Sequence, residues 1–337
     1  MIVEGTVLRG RSFEPIEGRV VIDDGEITAI EEERVESERI VVPAFVNAHT
    51  HVGDSIAKDA GAGLTLEELV APPDGLKHRL LRAADRSELV AGMHSSARLM
   101  SETGTAAFLD FREGGPDGVT ALREAVADLP IRGLAFGRGD PAVLDTADGY
   151  GASGAADADF STAREAAREA DKPFGIHAGE VNARDLDPAL DLEPDFLVHV
   201  VHPEPDHLDR IERQGVPIVL CPRSNLATDV GTAPIDDLHE RTTLALGTDN
   251  VMTCSPSMFR EMATLWSLAD LDAREVLRAA TVAGAELAGL DCGVIEPGRA
   301  ATLTVLDGTS DNLVGVKDPV RAVVRRADRA DVVKTVR

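Results

Sequence analysis

Pro43-Ala-Phe-Val-Asn-Ala-His49-Thr-His51 is a short apolar run that ends in two histidines one residue apart. In a β-strand alternate side chains share a face, so His49 and His51 project together, about 7 Å apart along the chain, as two ligands of one metal require. Alone, His-x-His is a weak signal, and satisfied or exposed histidines are its ordinary explanation. Its meaning depends on what the rest of the chain places around it.

On the N-terminal side, residues 1–42 hold short β-like stretches, Ile2 to Leu8, Arg19 to Asp23 and Glu26 to Ile30, separated by Gly and Asp turns. Similar stretches return at Ala301 to Leu306 and Val320 to Arg325. The two chain ends are therefore expected to pair into a small discontinuous β-sandwich, residues 1–42 plus 292–337. Between them, apolar runs alternate with helical patterns, the signature of repeated βα units. The runs are Val41 to Ala48, Thr105 to Phe111, Ile131 to Phe136, Pro173 to Ala178, Asp195 to Val200, Val216 to Cys221 and Thr242 to Gly247. A weaker eighth lies near Gly149 to Gly154, in a stretch rich in Gly and Ala. Eight strands predict an α/β fold, a (β/α)8 TIM-type barrel over residues 43–291, and 337 residues suit such a barrel of about 250 residues with a small addition. Helices are expected over Leu76 to Ser101, Ser161 to Glu169, Ser257 to Ala269 and Ala273 to Ala288.

Composition narrows the function classes. No run of 18 apolar residues occurs, and the N-terminus lacks a basic segment followed by an apolar one, so a soluble, cytoplasmic protein with no membrane partner is expected. Cys221, Cys254 and Cys292 are odd in number and far apart, which argues against a disulfide framework and a Cys-x-x-Cys zinc site. Small buried hydrophobes are the expected role. The formal charge is −25, and only five of the 34 basic residues are lysines: Lys58, Lys77, Lys172, Lys317 and Lys334. Such a surface suits high salt, where repulsion is screened over a few ångströms, and it excludes nucleic acid as a partner.

Barrel enzymes place their chemistry at the C-terminal ends of the strands. His49 and His51 end the first strand, His177 the fifth, His199 the sixth and Asp249 the eighth, so five metal-capable residues converge on one rim. Three histidines and a carboxylate with a position left for water describe a catalytic rather than a structural metal site, in which the cation acidifies the water. Glu180, three residues beyond His177, is placed to act as general acid and base without being a ligand. His199 is either a further ligand or a group that polarises the attacked atom. Asp249 can bind the metal and also accept a proton from the water.

Taken together, the motifs resemble the amidohydrolase superfamily, in its branch of cytosine, adenosine-type and S-adenosylhomocysteine deaminases and triazine chlorohydrolases. The resemblance rests on Pro43 to His51, His177-x-x-Glu180, His199-Val-Val-His202, Cys221-Pro-Arg-Ser224-Asn225, Gly247-Thr-Asp249 and the return segment Val294 to Asp307, and so spans nearly the whole chain. It implies that His49, His51, His177 and Asp249 bind one divalent metal, zinc first and iron second. It further implies that Glu180 shuttles the proton from water to a ring nitrogen and then to the leaving amine, while His199 orients the water. Many binuclear members carry a carboxylated lysine at the end of the fourth strand; no lysine lies between Lys77 and Lys172, so a single ion is expected. Ala301-Thr302-Leu303 stands where the family commonly has Ala-Asp-Leu, a departure confined to the terminal β unit.

Arg112, Arg223 and Asn225 are candidate substrate-binding residues at the rim, with intramolecular pairing as the alternative for the two arginines. His202 is expected to be a supporting or structural residue. Lys58, Asp59 and Lys77 fall in the long segment after the first strand and are expected to be solvated. Hydrolytic deamination of a small aminated heterocycle, a purine, pyrimidine or pterin-like base or nucleoside, is the leading reading. Hydrolysis of a cyclic amide or amidine or of a carbon–halogen bond is the second, and a metal-bound scaffold without turnover the third. A homo-oligomer is compatible with the sequence.

Overall fold

The computed structural model describes residues 1–71 and 73–337. Its N-terminal strands are β1 (Ile2–Arg9), β2 (Glu14–Asp23), β3 (Glu26–Glu32) and β4 (Ile40–Pro43). The barrel strands follow: β5 (Phe45–His51), β6 (Thr105–Arg112), β7 (Arg132–Gly137), β8 (Gly149–Ala152), β9 (Phe174–Ala178), β10 (Phe196–His199), β11 (Ile218–Leu220), β12 (Leu244–Leu246) and β13 (Asp249–Asn250). The chain closes with β14 (Leu303–Leu306) and β15 (Val332–Val336). Among the described residues no helix is long and apolar enough to cross a membrane.

The chain ends meet in one six-stranded sheet ordered β15-β14-β4-β1-β2-β3. The sheet is mixed, its β1–β4 pair parallel and the others antiparallel, and Glu26 of β3 bridges back to Ala300 just before β14. The expected strand at Val320 to Arg325 is instead a helix, Pro319–Arg325. Asp318 caps its N-terminus, Pro319 occupies the first turn, and Val320, Val323 and Val324 are buried at helical spacing while Arg321 and Arg325 lie against the Trp266 ring. A valine-rich run looks like a strand until its i, i+3, i+4 burial is known. Two long expected helices are likewise divided: Leu76 to Ser101 breaks into Leu76–Ala83 and Arg86–Glu102 where Asp85 caps the second, and Ala273 to Ala288 breaks at Thr281.

All barrel pairings are parallel. The ring closes because β12 pairs with β11 while its continuation, β13, pairs with β5. Gly247 makes that closure sterically feasible, since a Cβ there would lie 2.8 Å from the Cβ of His49 and 2.9 Å from its backbone nitrogen. Inward-facing Val46, Ala107, Leu109, Phe111, Phe136, Phe196, Val198, Val219 and Cys221 fill the barrel. The glycines of β8 and β9 make room for these rings: a Cβ on Gly151 would fall 2.6 Å from Phe111, and one on Gly175 2.2 Å from Phe196. This exchange of strand propensity for ring volume explains why β8 reads so weakly in the sequence.

Two polar links brace the catalytic end. Asn47 donates to the Thr248 hydroxyl at 2.7 Å and accepts from the Thr248 amide at 3.0 Å, lacing β5 to the approach to β13. Glu261, fully buried on the helix Met258–Leu268, accepts from the Arg223 amide at 2.8 Å and from its guanidinium at 3.4 Å, holding the turn Pro222–Ala227. Burial pushes the Glu261 carboxyl up to about 7, against the lowering effect of Arg223.

Asn47→Ala is expected to destabilise the fold by about 1–3 kcal/mol, because it strands the buried Thr248 amide; an unchanged denaturation midpoint in urea is the adverse result. The folded protein keeps a proton on Glu261 that the unfolded chain loses above the ordinary value of 4.5, so the wild type loses stability as pH rises from 4.5 to 7. Relative to wild type, Glu261→Gln should therefore gain up to about 3 kcal/mol across that window and then level off. A stability difference that stays flat between pH 5 and 7.5 would refute this.

Candidate active site

Four strand ends deliver the polar cluster anticipated from the sequence. Nε2 of His49 lies 3.2 Å from Asp249 Oδ1 and 3.2 Å from His177 Nε2; Nε2 of His51 lies 3.3 Å from His177 Nε2 and 3.6 Å from Asp249 Oδ1. These four donor atoms all fall within 4.8 Å of one another. Burial lowers the pKa of all three imidazoles, that of His51 to about 3 with help from Lys77. Burial opposes ionisation of Asp249, but His49, His199 and His51 outweigh it and hold the carboxyl well below its usual range. The result is three neutral imidazoles and one carboxylate, the protonation states in which these groups bind a metal.

The spacing fits a cation as well as the protonation does. Edges of 3.2–3.6 Å are those of a coordination shell with bonds of about 2.0–2.1 Å. Nδ1 of His177 donates to the Ala152 carbonyl at 2.8 Å, which leaves the Nε2 lone pair directed at the cluster. Ser224 donates to Asp249 Oδ2 at 2.5 Å, so only Oδ1 of that carboxylate remains turned toward the histidines. The edge of His49 meets the Phe111 ring at 4.6 Å between centroids, fixing the imidazole on the apolar floor of the barrel.

Glu180 follows the turn at Gly179, whose φ of 65° suits glycine, and its carboxylate stands 3.8 Å from His199 Nε2. Burial raises its pKa, offset in part by His199 and reinforced by Asp249. His199 bonds through Nδ1 to Asn225 Oδ1 at 2.9 Å; with Asn225 as acceptor, Nδ1 carries the proton and Nε2 faces Glu180. His199, Val200 and Asp249 all have positive φ, at 78°, 50° and 54°. Strain of this kind costs on the order of 1–3 kcal/mol per residue and persists where surrounding structure over-determines the backbone.

A cavity of about 690 Å³ opens over the cluster, lined by Lys77, Arg138, Glu180 and His199 and, from another segment, by Leu66, Glu67, Val70 and Ala71. Several expectations change here. Arg112 is buried in bonds to Asp110 and Glu113 and does not line the cavity. Arg223 is likewise turned to Glu261 and the Ser255 carbonyl, and Asn225 supports His199 from behind. The guanidinium on the cavity wall is that of Arg138. His202 bonds the Val230 carbonyl at 2.8 Å, away from the cluster. Lys58 and Asp59 are exposed, as expected, but Lys77 is only 4% exposed. Its ammonium lies 3.0 Å from Asp54, 2.8 Å from Glu113 and 3.3 Å from His51 Nδ1. Burial pulls the Lys77 pKa down, but Asp54 and Glu113 together push it above its ordinary value. Burial opposes ionisation of Glu113 too, and Lys77, His51, Arg112 and Arg138 hold it well below. Glu113 had one legible signal, its position just past the C-terminal end of the second barrel strand.

The amidohydrolase family model matches residues 40–337. A relative from Methanothermobacter thermautotrophicus, named provisionally as an aminohydrolase, is 38% identical over an alignment covering 99% of this chain and 96% of the relative. A 5-methylthioadenosine/S-adenosylhomocysteine deaminase from Halobacterium salinarum is 29% identical, with coverage of 99% and 90%. Among solved structures, atrazine chlorohydrolase from Arthrobacter aurescens complexed with zinc superposes with a TM-score of 0.82 at 20% identity, covering 99% of this chain and 95% of that one. The likeness of fold and the family match agree with the cluster of His49, His51, His177 and Asp249 at the barrel rim: the chain belongs to the amidohydrolase family.

Proposed function

We propose that this protein is a metal-dependent hydrolase that deaminates a small aminated heterocycle, with water as the incoming group and ammonia as the leaving one. The observation that carries the proposal is the placement of Glu180, a half-buried carboxylate of raised pKa on the cavity wall, beside a cluster of donors suited to a divalent cation. The names of the relatives, an aminohydrolase and a deaminase of an adenine nucleoside, support the same reaction class. His49, His51, His177 and Asp249 are the proposed ligands of a single ion. Three imidazoles and a carboxylate suit zinc, with iron second, and zinc accompanies the atrazine chlorohydrolase fold. When bound, the cation supplies an acidified water.

The chain's own residues do the rest. Glu180 takes the proton from the water, delivers it to a ring nitrogen, and assists departure of the amine. A carboxyl whose pKa lies above the usual range is matched to both halves of that transfer. His199, held by Asn225 through Nδ1, keeps Nε2 directed at the reacting atoms, where its lone pair accepts from the water and orients it. Leu66, Val70, Ala71 and Val181 give the cavity an apolar part of its wall. The reading assigns residues 43–291 to the catalytic barrel and residues 1–42 with 292–337 to a supporting β unit. The acidic, lysine-poor surface is assigned to a high-salt cytoplasm.

Ammonia release over a panel of aminopurines, aminopyrimidines and pterins, with zinc-loaded protein in molar KCl, is the direct measurement. No release from any member overturns the deaminase reading. Glu180→Gln is expected to keep its metal and lose about 10²–10⁴-fold in kcat, whereas Asp249→Ala loses both. A fully active Glu180→Gln enzyme sinks the assignment. The thermal midpoint should rise steadily as KCl increases from 0.1 to 2 M, because screening relieves repulsion among the excess carboxylates; a midpoint that falls removes the halophilic reading.

A further inference from the structure

The Nδ1 atom of His51 sits between a donor and an acceptor, and only one of them is compatible with a metal on the other side of the ring. Lys77 Nζ is 3.3 Å away and Glu113 Oε1 3.6 Å away. If His51 offers its Nε2 lone pair to a cation, the neutral ring must carry its proton on Nδ1. An N–H there cannot accept from the Lys77 ammonium, so its acceptor has to be Glu113. In the opposite tautomer Lys77 donates to Nδ1, and the Nε2–H points at His177 and blocks the cluster.

We propose that Glu113 is a positioning residue of the metal site, the carboxylate that selects the metal-binding tautomer of His51, and that Lys77 holds Glu113 in place. Glu113 is suited to this because three cations converge on its two oxygens. Lys77 reaches Oε1 at 2.8 Å, Arg138 reaches Oε1 at 3.0 Å and Arg112 reaches Oε2 at 2.7 Å. Its remaining freedom is a short slide of Oε1 toward His51. The separation of 3.6 Å is longer than a hydrogen bond, and closing it to about 2.8–3.2 Å is the adjustment required on loading. Lys77 reaches the site from the helix Leu76–Ala83, so that helix, which lines the cavity, is tied to the cluster through one ammonium.

The inference rests on reading the cluster as a cation site and is separable from the substrate. Metal-stripped protein is titrated with zinc against a chromophoric chelator, with no substrate present. Glu113→Ala should weaken zinc binding by about 10–100-fold, the usual cost of losing a partner that orients a ligating imidazole. Glu113→Gln should recover most of that loss, because an amide oxygen still accepts from Nδ1–H although the charge seen by Lys77, Arg112 and Arg138 is gone. A role confined to holding the three cations predicts the reverse: Gln as damaging as Ala. Long-range ¹H–¹⁵N spectra of the zinc-loaded protein should show His51 protonated on Nδ1, with a low-field proton that moves upfield in Glu113→Ala. A zinc affinity in Glu113→Ala within twofold of wild type, or Gln weakening binding as much as Ala, overturns the proposal. Failure of the wild type to bind zinc overturns the cation site itself.

Discussion

Everything at the catalytic end answers to one constraint: four electron-pair donors lie within 4.8 Å of one another, neighbours 3.2–3.6 Å apart, with three of the four residues buried and His177 partly so. Neutral imidazole nitrogens at that distance have few favourable arrangements among themselves, since each can either donate or accept but not both at the same atom. Burying them is therefore costly unless a cation shares their lone pairs. The fold meets this by fixing each ring from behind. Phe111 fixes His49, the Ala152 carbonyl fixes His177, Ser224 fixes Asp249, and the Lys77 and Glu113 pair brackets His51.

Barrel closure and site assembly are the same event. Asp249 enters the cluster only because Gly247 lets β12 approach His49 and because Asn47 and Thr248 lock the two strands together. The positive φ angles at His199, Val200 and Asp249 sit where the strands turn into loops. The backbone there departs from extended geometry so that the side chains can be aimed inward, and the barrel interior bears the cost. Glu261 extends the same logic one layer outward, since it anchors the turn that presents Ser224 and Asn225.

How much of this was legible depends on the range over which each signal acts. The alternation of apolar runs and helical patterns is local, so all eight barrel strands could be read, and the metal-capable residues lay at strand ends where topology brings them together. Even β8, thin in β-forming residues, was visible as a Gly- and Ala-rich gap; its glycines answer to Phe111 across the barrel. The failures are of the opposite kind. Val320 to Arg325 has a residue content that suits either strand or helix, and its Asp318 cap and its packing against Trp266 decide the matter. Arg112 and Arg223 stand at the rim in sequence, but which way a guanidinium turns is set by the carboxylates it meets: Glu261, far along the chain, holds Arg223, while Asp110 and Glu113 beside Arg112 hold that one.

Lys77 shows why scarcity misled. A lone lysine in a loop of an acidic chain reads as a solvated charge, because the desolvation of an ammonium is expensive and no local partner is evident. Two carboxylates change the sign of the argument. Asp54 is 23 residues away in sequence and Glu113 is 36, yet together with Arg112 and Arg138 they make a buried network in which each charge faces an opposite one. A network of this type contributes little net stability relative to apolar packing; what it fixes is the arrangement of Lys77 and Glu113 about His51. Here the arrangement concerns a single proton on a single imidazole. An ammonium on one side of Nδ1 and a carboxylate on the other make the choice of tautomer sensitive to small movements of the helix Leu76–Ala83, which carries Lys77 and lines the cavity over the cluster.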